Sequence, residues 1–226
     1  MKMKRVSNHI WSLKSWMIIP IHVWVVADDK GITLVDAGMP TMAKAILKSI
    51  KLLDKGPLKR ILLTHGHSDH VGSLKKILKE AQVPVYAHQI EIPYMEGEQV
   101  YPGRKKPEKN VDNHIVQPLQ QNENGTLPSV GGLTPYLTPG HSPGHVVYFH
   151  EEDQVLLAGD LFTSKKGKLK KPMKMFTADM GKAVNSSSIV EKLKPKKLEV
   201  CHGDSVLHPA DQLEAYIRKM EKELKH

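Results

Sequence analysis

The sequence has few of the features that mark secreted or membrane proteins. A single cysteine, Cys201, cannot form a disulfide within the chain, so nothing requires an oxidising compartment. The longest apolar runs fall well short of the roughly 20 residues that cross a bilayer. The basic residues before Trp16 are followed by Pro20 rather than by the apolar core of a signal peptide. We therefore expect a soluble, cytoplasmic protein without a membrane partner.

The composition is that of an ordinary globular domain. The 226 residues are 40% hydrophobic and 25% charged, which fits one domain spanning 1–226. The formal net charge of +9 is compatible with an acidic substrate, with a nucleic acid or with a lysine-rich surface in water. The charge alone does not decide among these three interpretations.

Short apolar strands alternate with amphipathic helices along the chain. The pattern predicts strands at 16–27, 32–36, 61–63, 83–87, 134–137, 146–150, 155–158 and 198–201. It predicts one helix that begins at 41, one that runs through 80, and two more near 178–193 and 209–225. Segment 94–131 is polar and aperiodic, and we interpret it as an insertion that covers a site, with a mobile excursion as the alternative.

The strongest chemical signal is the string T-H-G-H-S-D-H at positions 64–70, directly after an apolar strand. Imidazole nitrogen and carboxylate oxygen bind divalent ions such as Zn²⁺, and no packing requirement calls for so many of them in one loop. His65 and His67 can converge on one ion. Asp69 and His70 open the next helix and can face a second ion.

Three later residues end apolar strands in the same manner. They are His141 in T-P-G-H-S-P-G-H, Asp160 in L-A-G-D and His202 in V-C-H-G-D. Strand ends at a common sheet edge bring such side chains together, and the combined set of seven residues would suffice for two ions.

Other polar residues near these strings have supporting or open interpretations. His145 opens a strand, and we interpret it as a structural residue or a partner of the site rather than as a ligand. Asp36 either accepts a hydrogen bond from a ligand imidazole or simply ends its strand. Cys201, beside His202, is interpreted as a small buried residue, with a redox or metal role as the alternative.

These four strings together resemble the metallo-β-lactamase superfamily, in particular its glyoxalase II and lactonase branch, over nearly the whole chain. The resemblance implies an α+β fold, an αββα sandwich of two mixed sheets flanked by helices, with the metals at one sheet edge. Carried over by position, His65, His67 and His141 hold the first metal, Asp69, His70 and His202 hold the second, and Asp160 bridges them.

The chemistry of two close cations then predicts the mechanism. Bound water has its pKa lowered from about 16 toward about 7, so a hydroxide held between the cations becomes the nucleophile, while Asp69 or Asp160 orients it and carries its proton. We predict a hydrolase with two zinc ions, Mn²⁺ or Fe²⁺ being alternatives. Its substrate would be a small ester, thioester or lactone, anionic or amphipathic in character.

Several alternatives stay open. The same site residues occur in a mononuclear-iron persulfide dioxygenase and in phosphodiesterases or nucleases, although the lysine runs here lack interleaved aromatic residues. A non-enzymatic metal- or nucleic-acid-binding module is disfavoured by the open histidine–carboxylate set. We expect the helical domain of glyoxalase II to be absent, and Thr163 stands where lactonases place a tyrosine.

The basic segment 165–174 follows Asp160 closely. It would either overhang the metals, with Met173, Met175 and Phe176 as an apolar wall, or lie in solvent as a flexible loop.

Overall fold

The structure is a computed structural model that describes residues 1–225. Within that range, one sheet has seven strands whose order in space is their order in the chain: β1 (Lys2–Arg5), β2 (Ile10–Trp16), β3 (Pro20–Asp28), β4 (Gly31–Val35), β5 (Leu58–Leu62), β6 (Val85–Ala87) and β7 (Val116–Pro118). The strands β1 to β4 pair antiparallel, and β4 to β7 pair parallel. The sheet is therefore mixed.

A second mixed sheet is built from the later part of the chain. As far as the structure describes the chain, its five strands lie in the order β14 (Val206–Leu207), β13 (Lys197–Glu199), β10 (Val155–Leu157), β9 (Val146–His150) and β8 (Thr134–Leu137). The strands β10 and β13 are parallel, and the other neighbours are antiparallel. A separate hairpin is formed by β11 (Thr163–Lys165) and β12 (Lys168–Lys170).

Helices cover the outer face of each sheet. Among residues 1–225 they are α1 (Ala43–Leu53), α2 (Ser68–Val71), α3 (Leu74–Glu80), α4 (Ile92–Met95), α5 (Met180–Ser186), α6 (Ile189–Leu193) and α7 (Ala210–Leu224). Ile46 of α1 and Ile77 of α3 belong to the core cluster of the first sheet, whereas Val184 of α5 and Leu213 of α7 belong to a second cluster. No helix within the described range is long and apolar enough to cross a membrane.

The strand β9 shows how the layers are stacked, because it is buried on both faces. Val146 and Tyr148 belong to the core cluster that the first sheet contributes to, while Val147 and Phe149 belong to the cluster that contains α5 to α7. Successive side chains of a strand point to opposite faces, so the sheets pack against each other and helices lie outside both. This is the predicted αββα sandwich.

The N-terminal strands differ from the sequence prediction. The strand predicted at 16–27 is instead β3, preceded by a turn at 17–19 and by β2. The strand β1 lies at the edge with all four residues exposed, and its Lys2 is paired with Lys14. An exposed edge strand that carries lysines lacks the apolar alternation by which a half-buried strand is found.

Two predicted helices are each divided in two. The helix predicted to run through 80 is interrupted between α2 and α3, and the helix near 178–193 is interrupted between α5 and α6. At the second break the hydroxyl of Ser187 donates to the carbonyl of Val184 and that of Ser188 donates to Asn185. Serine side chains that bind nearby carbonyls compete with helical hydrogen bonds. The other predicted elements form within a few residues of their predicted bounds.

Asp153 joins the two sheets on the side where β2 begins and β9 ends. Its side chain is 3% exposed and accepts hydrogen bonds from the Ser7 hydroxyl, from the His9 backbone N–H at 2.9 Å and from His9 Nδ1 at 2.9 Å. Burial raises the pKa of Asp153, but the hydrogen bonds from Ser7 and His9 outweigh burial and hold that pKa below its ordinary value. The ionised carboxylate therefore stabilises the fold.

We predict that Asp153→Asn lowers the free energy of unfolding at pH 7 by about 1–3 kcal/mol, because charge-assisted hydrogen bonds are lost. The folded-state pKa is depressed, so this contribution is present above the unfolded pKa of about 3.9 and disappears as the pH falls through the folded value. Urea unfolding at pH 7 and near pH 3 checks both statements. Asp29→Asn, at an exposed turn, is the control, and a difference from wild type that stays constant with pH would contradict the prediction.

Candidate metal centre

Loops that leave several strand ends meet at one edge of the sandwich. The residues 64–70 follow β5, the parallel neighbour of β4, while Asp160 and His202 follow the parallel pair β10 and β13. Parallel strands end at the same edge of a sheet. The structure thereby brings together all seven of the predicted ligands, namely His65, His67, Asp69, His70, His141, Asp160 and His202.

His65, His67 and His141 form one group, with their ligand nitrogens all within 4.8 Å of one another. Nδ1 of His67 lies 3.0 Å from Nε2 of His65 and 3.1 Å from Nε2 of His141. Two nitrogens that bind one zinc ion tetrahedrally at about 2.0 Å would lie about 3.3 Å apart. The spacing of the three imidazoles is therefore suitable for a single cation.

Neighbouring hydroxyl groups indicate which nitrogen of His65 and His141 carries the proton. Thr64 Oγ1 donates to Asp36 and Thr177 Oγ1 donates to a backbone carbonyl. Each hydroxyl can then only accept from the imidazole beside it, so His65 and His141 donate through Nδ1. Their Nε2 lone pairs stay free, which is how ligand imidazoles are oriented in metal sites.

Asp69, His70 and His202 form a second group. Nδ1 of His70 donates to Asp36 at 2.8 Å, and Nδ1 of His202 donates to the Pro20 carbonyl at 2.9 Å. Both Nε2 atoms consequently face inward, and that of His202 lies 3.1 Å from Asp69 Oδ2. This group has the composition of a second cation site.

The carboxylate of Asp160 contacts both groups. Its Oδ1 lies 3.4 Å from His70 Nε2, while its Oδ2 lies 3.3 Å from His202 Nε2 and 3.4 Å from His141 Nε2. This is the position that a bridging ligand requires.

Asp36 does more than end its strand. It is wholly buried and accepts from the Thr64 N–H at 2.8 Å, from the Thr64 hydroxyl at 2.9 Å and from His70. Its φ of +61° lies in the left-handed region that few non-glycine residues adopt. The unusual backbone conformation aims the carboxylate at the histidine loop, so Asp36 orients His70.

The two groups differ in charge. Burial lowers the pKa of His67 to about 4 and lowers the pKa values of His65 and His141 well below their ordinary value, so this group is neutral. Burial is the largest single influence on His202 and lowers its pKa, but Asp160, Cys201 and Asp69 together outweigh burial and raise that pKa well above its ordinary value. The second group and Asp160 thus require compensating positive charge at the place where a cation would supply it.

Unpartnered polar atoms give a further test of whether metal ions fit. Several buried polar atoms of the described residues lack a hydrogen-bond partner, and three of them lie here: His70 Nε2, His202 Nε2 and Asp160 Oδ1. The polar atoms that face them belong to other candidate ligands, as in the 3.4 Å contact between His70 Nε2 and Asp160 Oδ1. Buried polar atoms nearly always have a partner, and exceptions indicate an ion, a ligand or a functional role. The residues of both groups therefore fit a pair of divalent cations.

His145 does not join either group. Its Nδ1 lies 2.9 Å from the Thr138 hydroxyl, and its Nε2 accepts from the backbone N–H of Asp160 at 3.1 Å. Both ring nitrogens of His145 already have hydrogen-bond partners, which agrees with its interpretation as a supporting residue. The hydrogen bond to Nε2 fixes the backbone that carries Asp160.

Glu91 is a residue of the site that the sequence analysis missed. It is wholly buried, and its Oε1 accepts from the Gly66 N–H at 3.0 Å while its Oε2 accepts from the Ser142 hydroxyl at 2.9 Å and the Gly144 N–H at 2.7 Å. Burial raises the pKa of Glu91 above its ordinary value, and the hydrogen bonds donated to its carboxylate offset only part of that rise. Glu91 therefore joins the loop of His65 and His67 to the loop of His141.

Part of segment 94–131 lies against the same loop. The Tyr101 hydroxyl donates to Glu91 at 2.8 Å, and the Asn110 side chain donates to the Gly66 carbonyl at 3.0 Å. A Cβ at Gly66 would lie 2.4 Å from the Tyr101 hydroxyl. The close approach of this segment explains the glycine between the two histidines.

A cleft of about 340 Å³ opens beside His67, Asp69 and Asp160. The rest of its lining comes from the β2–β3 turn, the histidine loop, segment 94–131 and the segment after β12, namely Ile19, Ser68, Arg104, Glu108, Met173 and Phe176. Within the basic segment, Met173 thus borders the cleft and Lys174 borders an adjoining cavity, whereas Lys166, Lys168 and Lys170 line a separate groove against α7.

Comparison with known proteins gives concordant matches. A family model described as the metallo-β-lactamase superfamily matches residues 18–202. The chain is 38% identical over 221 residues to a Bacillus subtilis (strain 168) protein named probable metallo-hydrolase YybB, which covers 96% of this chain and 98% of that protein. It is 30% identical over 154 residues to the hydroxyacylglutathione hydrolase of Shewanella halifaxensis (strain HAW-EB4), over 66% of this chain and 50% of that enzyme.

Among solved structures, a metallo-β-lactamase from Pontibacter korlensis aligns with a TM-score of 0.74 at 20% identity, over 97% of this chain and 98% of that one. The predicted α+β fold is thereby confirmed.

We predict that Glu91→Gln weakens metal binding without removing any ligand. A glutamine amide has one oxygen and one NH₂ group, so hydrogen-bond donors on one side of the residue lose their acceptor. We expect the dissociation constant for Zn²⁺ to rise about 10–100-fold, and the free energy of unfolding to fall by about 2 kcal/mol or more. Competition with a chelator and urea unfolding measure the two effects. The exposed Glu98→Gln is the matched control, and zinc affinity equal to wild type in Glu91→Gln would contradict the positioning role.

Proposed function

The chain belongs to the metallo-β-lactamase superfamily and is a metallo-hydrolase, and from this premise we propose that it uses two divalent cations, preferentially zinc, to hydrolyse an ester, thioester or lactone. The observation that carries the proposal is the carboxylate of Asp160, which lies within 3.4 Å of imidazoles of both groups. In our proposal His65, His67 and His141 hold one cation, Asp69, His70 and His202 hold the other, and Asp160 contacts both.

Bound divalent cations lower the pKa of water and polarise an acyl oxygen, so the protein needs no serine or cysteine nucleophile. Asp69 is the carboxylate best placed to move protons, since its side chain is 26% exposed and lines the cleft, whereas that of Asp160 is 5% exposed. Burial raises the pKa of Asp69, but His70 and His202 outweigh burial and lower it. The ionised carboxylate accepts a proton from the attacking water and returns it to the leaving oxygen or sulfur.

The cleft lining supports a substrate that is both apolar and anionic. Ile19, Met173 and Phe176 provide an apolar wall. The guanidinium of Arg104 lies 5.5 Å from the Phe176 ring centroid, so its positive charge is held at the same wall. Glu108 also lines the cleft, 3.9 Å from Arg104 Nε, and a bound anionic group would replace this loose ion pair. An acyl compound with a carboxylate suits this lining. The relative named hydroxyacylglutathione hydrolase acts, by its name, on an acyl compound, which is compatible with such a substrate.

The other interpretations have less support. The hairpin lysines Lys166, Lys168 and Lys170 line a groove of about 870 Å³ against α7 rather than the cleft, so they do not favour a nuclease. A second complete group of ligands is not needed by a mononuclear-iron dioxygenase. We keep the cytoplasmic location as part of the proposal, in agreement with a free, buried Cys201.

Metal content and hydrolysis together test the proposal. We expect about two zinc ions per chain by mass spectrometry and turnover of a lactone or thioester in a panel that also contains a β-lactam and a phosphodiester. His67→Ala and Asp160→Ala should each lose metal and lower kcat/KM by more than about 100-fold.

The exposed His114→Asn, which removes an imidazole outside both groups, is the control and should retain metal and activity. About one iron per chain with no hydrolysis would overturn the proposal in favour of the dioxygenase.

Arg104 provides a separate prediction about substrate charge. For a carboxylate-bearing substrate, Arg104→Gln should raise KM about 10–100-fold, because a charge-assisted hydrogen bond contributes roughly 1.5–3 kcal/mol. For an uncharged ester of the same acyl group, KM should change little. Lys105→Gln, an exposed neighbour, is the control. An equal change for both substrates would show that Arg104 does not bind the anionic group.

A further inference from the structure

Cys201 occupies an unexpected position for a packing residue. It follows β13, immediately precedes His202 and has no exposed surface. Its sulfur lies with the second group, since ligand atoms of Asp69, His70, Cys201 and His202 all lie within 4.8 Å of one another. The thiol therefore faces the place where the proposed second cation would lie.

The backbone keeps the thiol in this position. The Cys201 N–H donates to the Gly159 carbonyl at 3.0 Å, and the Cys201 carbonyl accepts from the His22 N–H at 3.2 Å. The first contact links Cys201 to the loop that carries Asp160. Together the two hydrogen bonds fix the backbone of Cys201 beside the second group.

The surroundings of the thiol are polar on the side of the second group. Nε2 of His70 and Nε2 of His202 are buried without hydrogen-bond partners, and His70 has no exposed surface. A cysteine that only fills space would need apolar neighbours on all sides. Cys201 meets apolar neighbours in the first core cluster, but its other neighbours are the metal-competent atoms of Asp69, His70 and His202.

We propose that Cys201 supplies a thiolate ligand to the second cation, beside Asp69, His70 and His202. The inference rests on the two-cation centre proposed above. On coordination the S–H bond breaks, the electron pair stays on sulfur to form the metal–sulfur bond, and the proton is released to solvent. A sulfur ligand selects zinc, cobalt or iron over magnesium and manganese, so the second position accepts a narrower range of ions than oxygen and nitrogen ligands alone would.

Cobalt substitution tests this inference directly. Metal-free protein is titrated with Co²⁺ under anaerobic conditions, and its absorption spectrum is recorded. A thiolate ligand gives an intense sulfur-to-cobalt charge-transfer band in the near ultraviolet, whereas nitrogen and oxygen ligands give only weak visible d–d bands. Because the sequence contains one cysteine, the charge-transfer band has one possible source.

The outcomes separate this inference from the proposed function. Visible bands at about two equivalents of cobalt together with the charge-transfer band support both. Visible bands at the same stoichiometry without the charge-transfer band overturn the cysteine ligand and leave the two-cation centre intact. Failure to bind cobalt at all overturns both.

Variants provide a second measurement. In Cys201→Ser and Cys201→Ala the charge-transfer band should vanish, and the affinity for the second cobalt equivalent should fall about tenfold or more. Val200→Ala, which removes buried volume beside Cys201 without removing sulfur, should keep the band. Unchanged affinity for the second equivalent in both cysteine variants would overturn the inference even if one of them is less stable.

Discussion

Hydrogen bonds to two wholly buried carboxylates determine how the candidate metal centre is built. Asp36 joins the end of β4 to Thr64 and His70, and Glu91 joins Gly66 to the loop of His141. A buried charge without partners costs several kcal/mol, so these donors must be in place whenever the chain is folded. The loops of the first group are therefore fixed by the protein before any cation binds, and such preorganisation keeps the geometry of a site from depending on its ligand.

The residues of the site were predictable from sequence because each follows a short apolar strand. The dense string at 64–70 and the isolated His141, Asp160 and His202 share that context, and the parallel strands β10 and β13 place the last two at one edge. The αββα architecture, in contrast, came from the resemblance of these strings to a family. Alternating strands and helices alone do not distinguish a sandwich of two sheets from a single sheet covered on both faces.

The residues that were missed or understood incompletely depend on contacts between distant parts of the chain. Glu91 lies in an ordinary-looking polar stretch, and its role comes from Gly66, Ser142 and Gly144. The sequence presents Cys201 as a small apolar residue at the end of a buried strand. The pattern of buried positions does not reveal that Asp69 and His70, from a distant loop, lie beside its side chain. The edge strand β1 was missed for a different reason, since its pairing with β2 depends on backbone hydrogen bonds that any side chain permits.

The wide separation of the ligands along the chain has a consequence for biosynthesis. A ribosome releases residues from the amino terminus onward, so a nascent chain first exposes the loop at 64–70 alone. The first group needs residue 141 and the second needs residue 202, and both need the two sheets packed together. In the proposed centre, a chain that has not yet folded both sheets can therefore hold neither cation in its final geometry. The ion that is available once both sheets have packed would then determine which metal the centre carries.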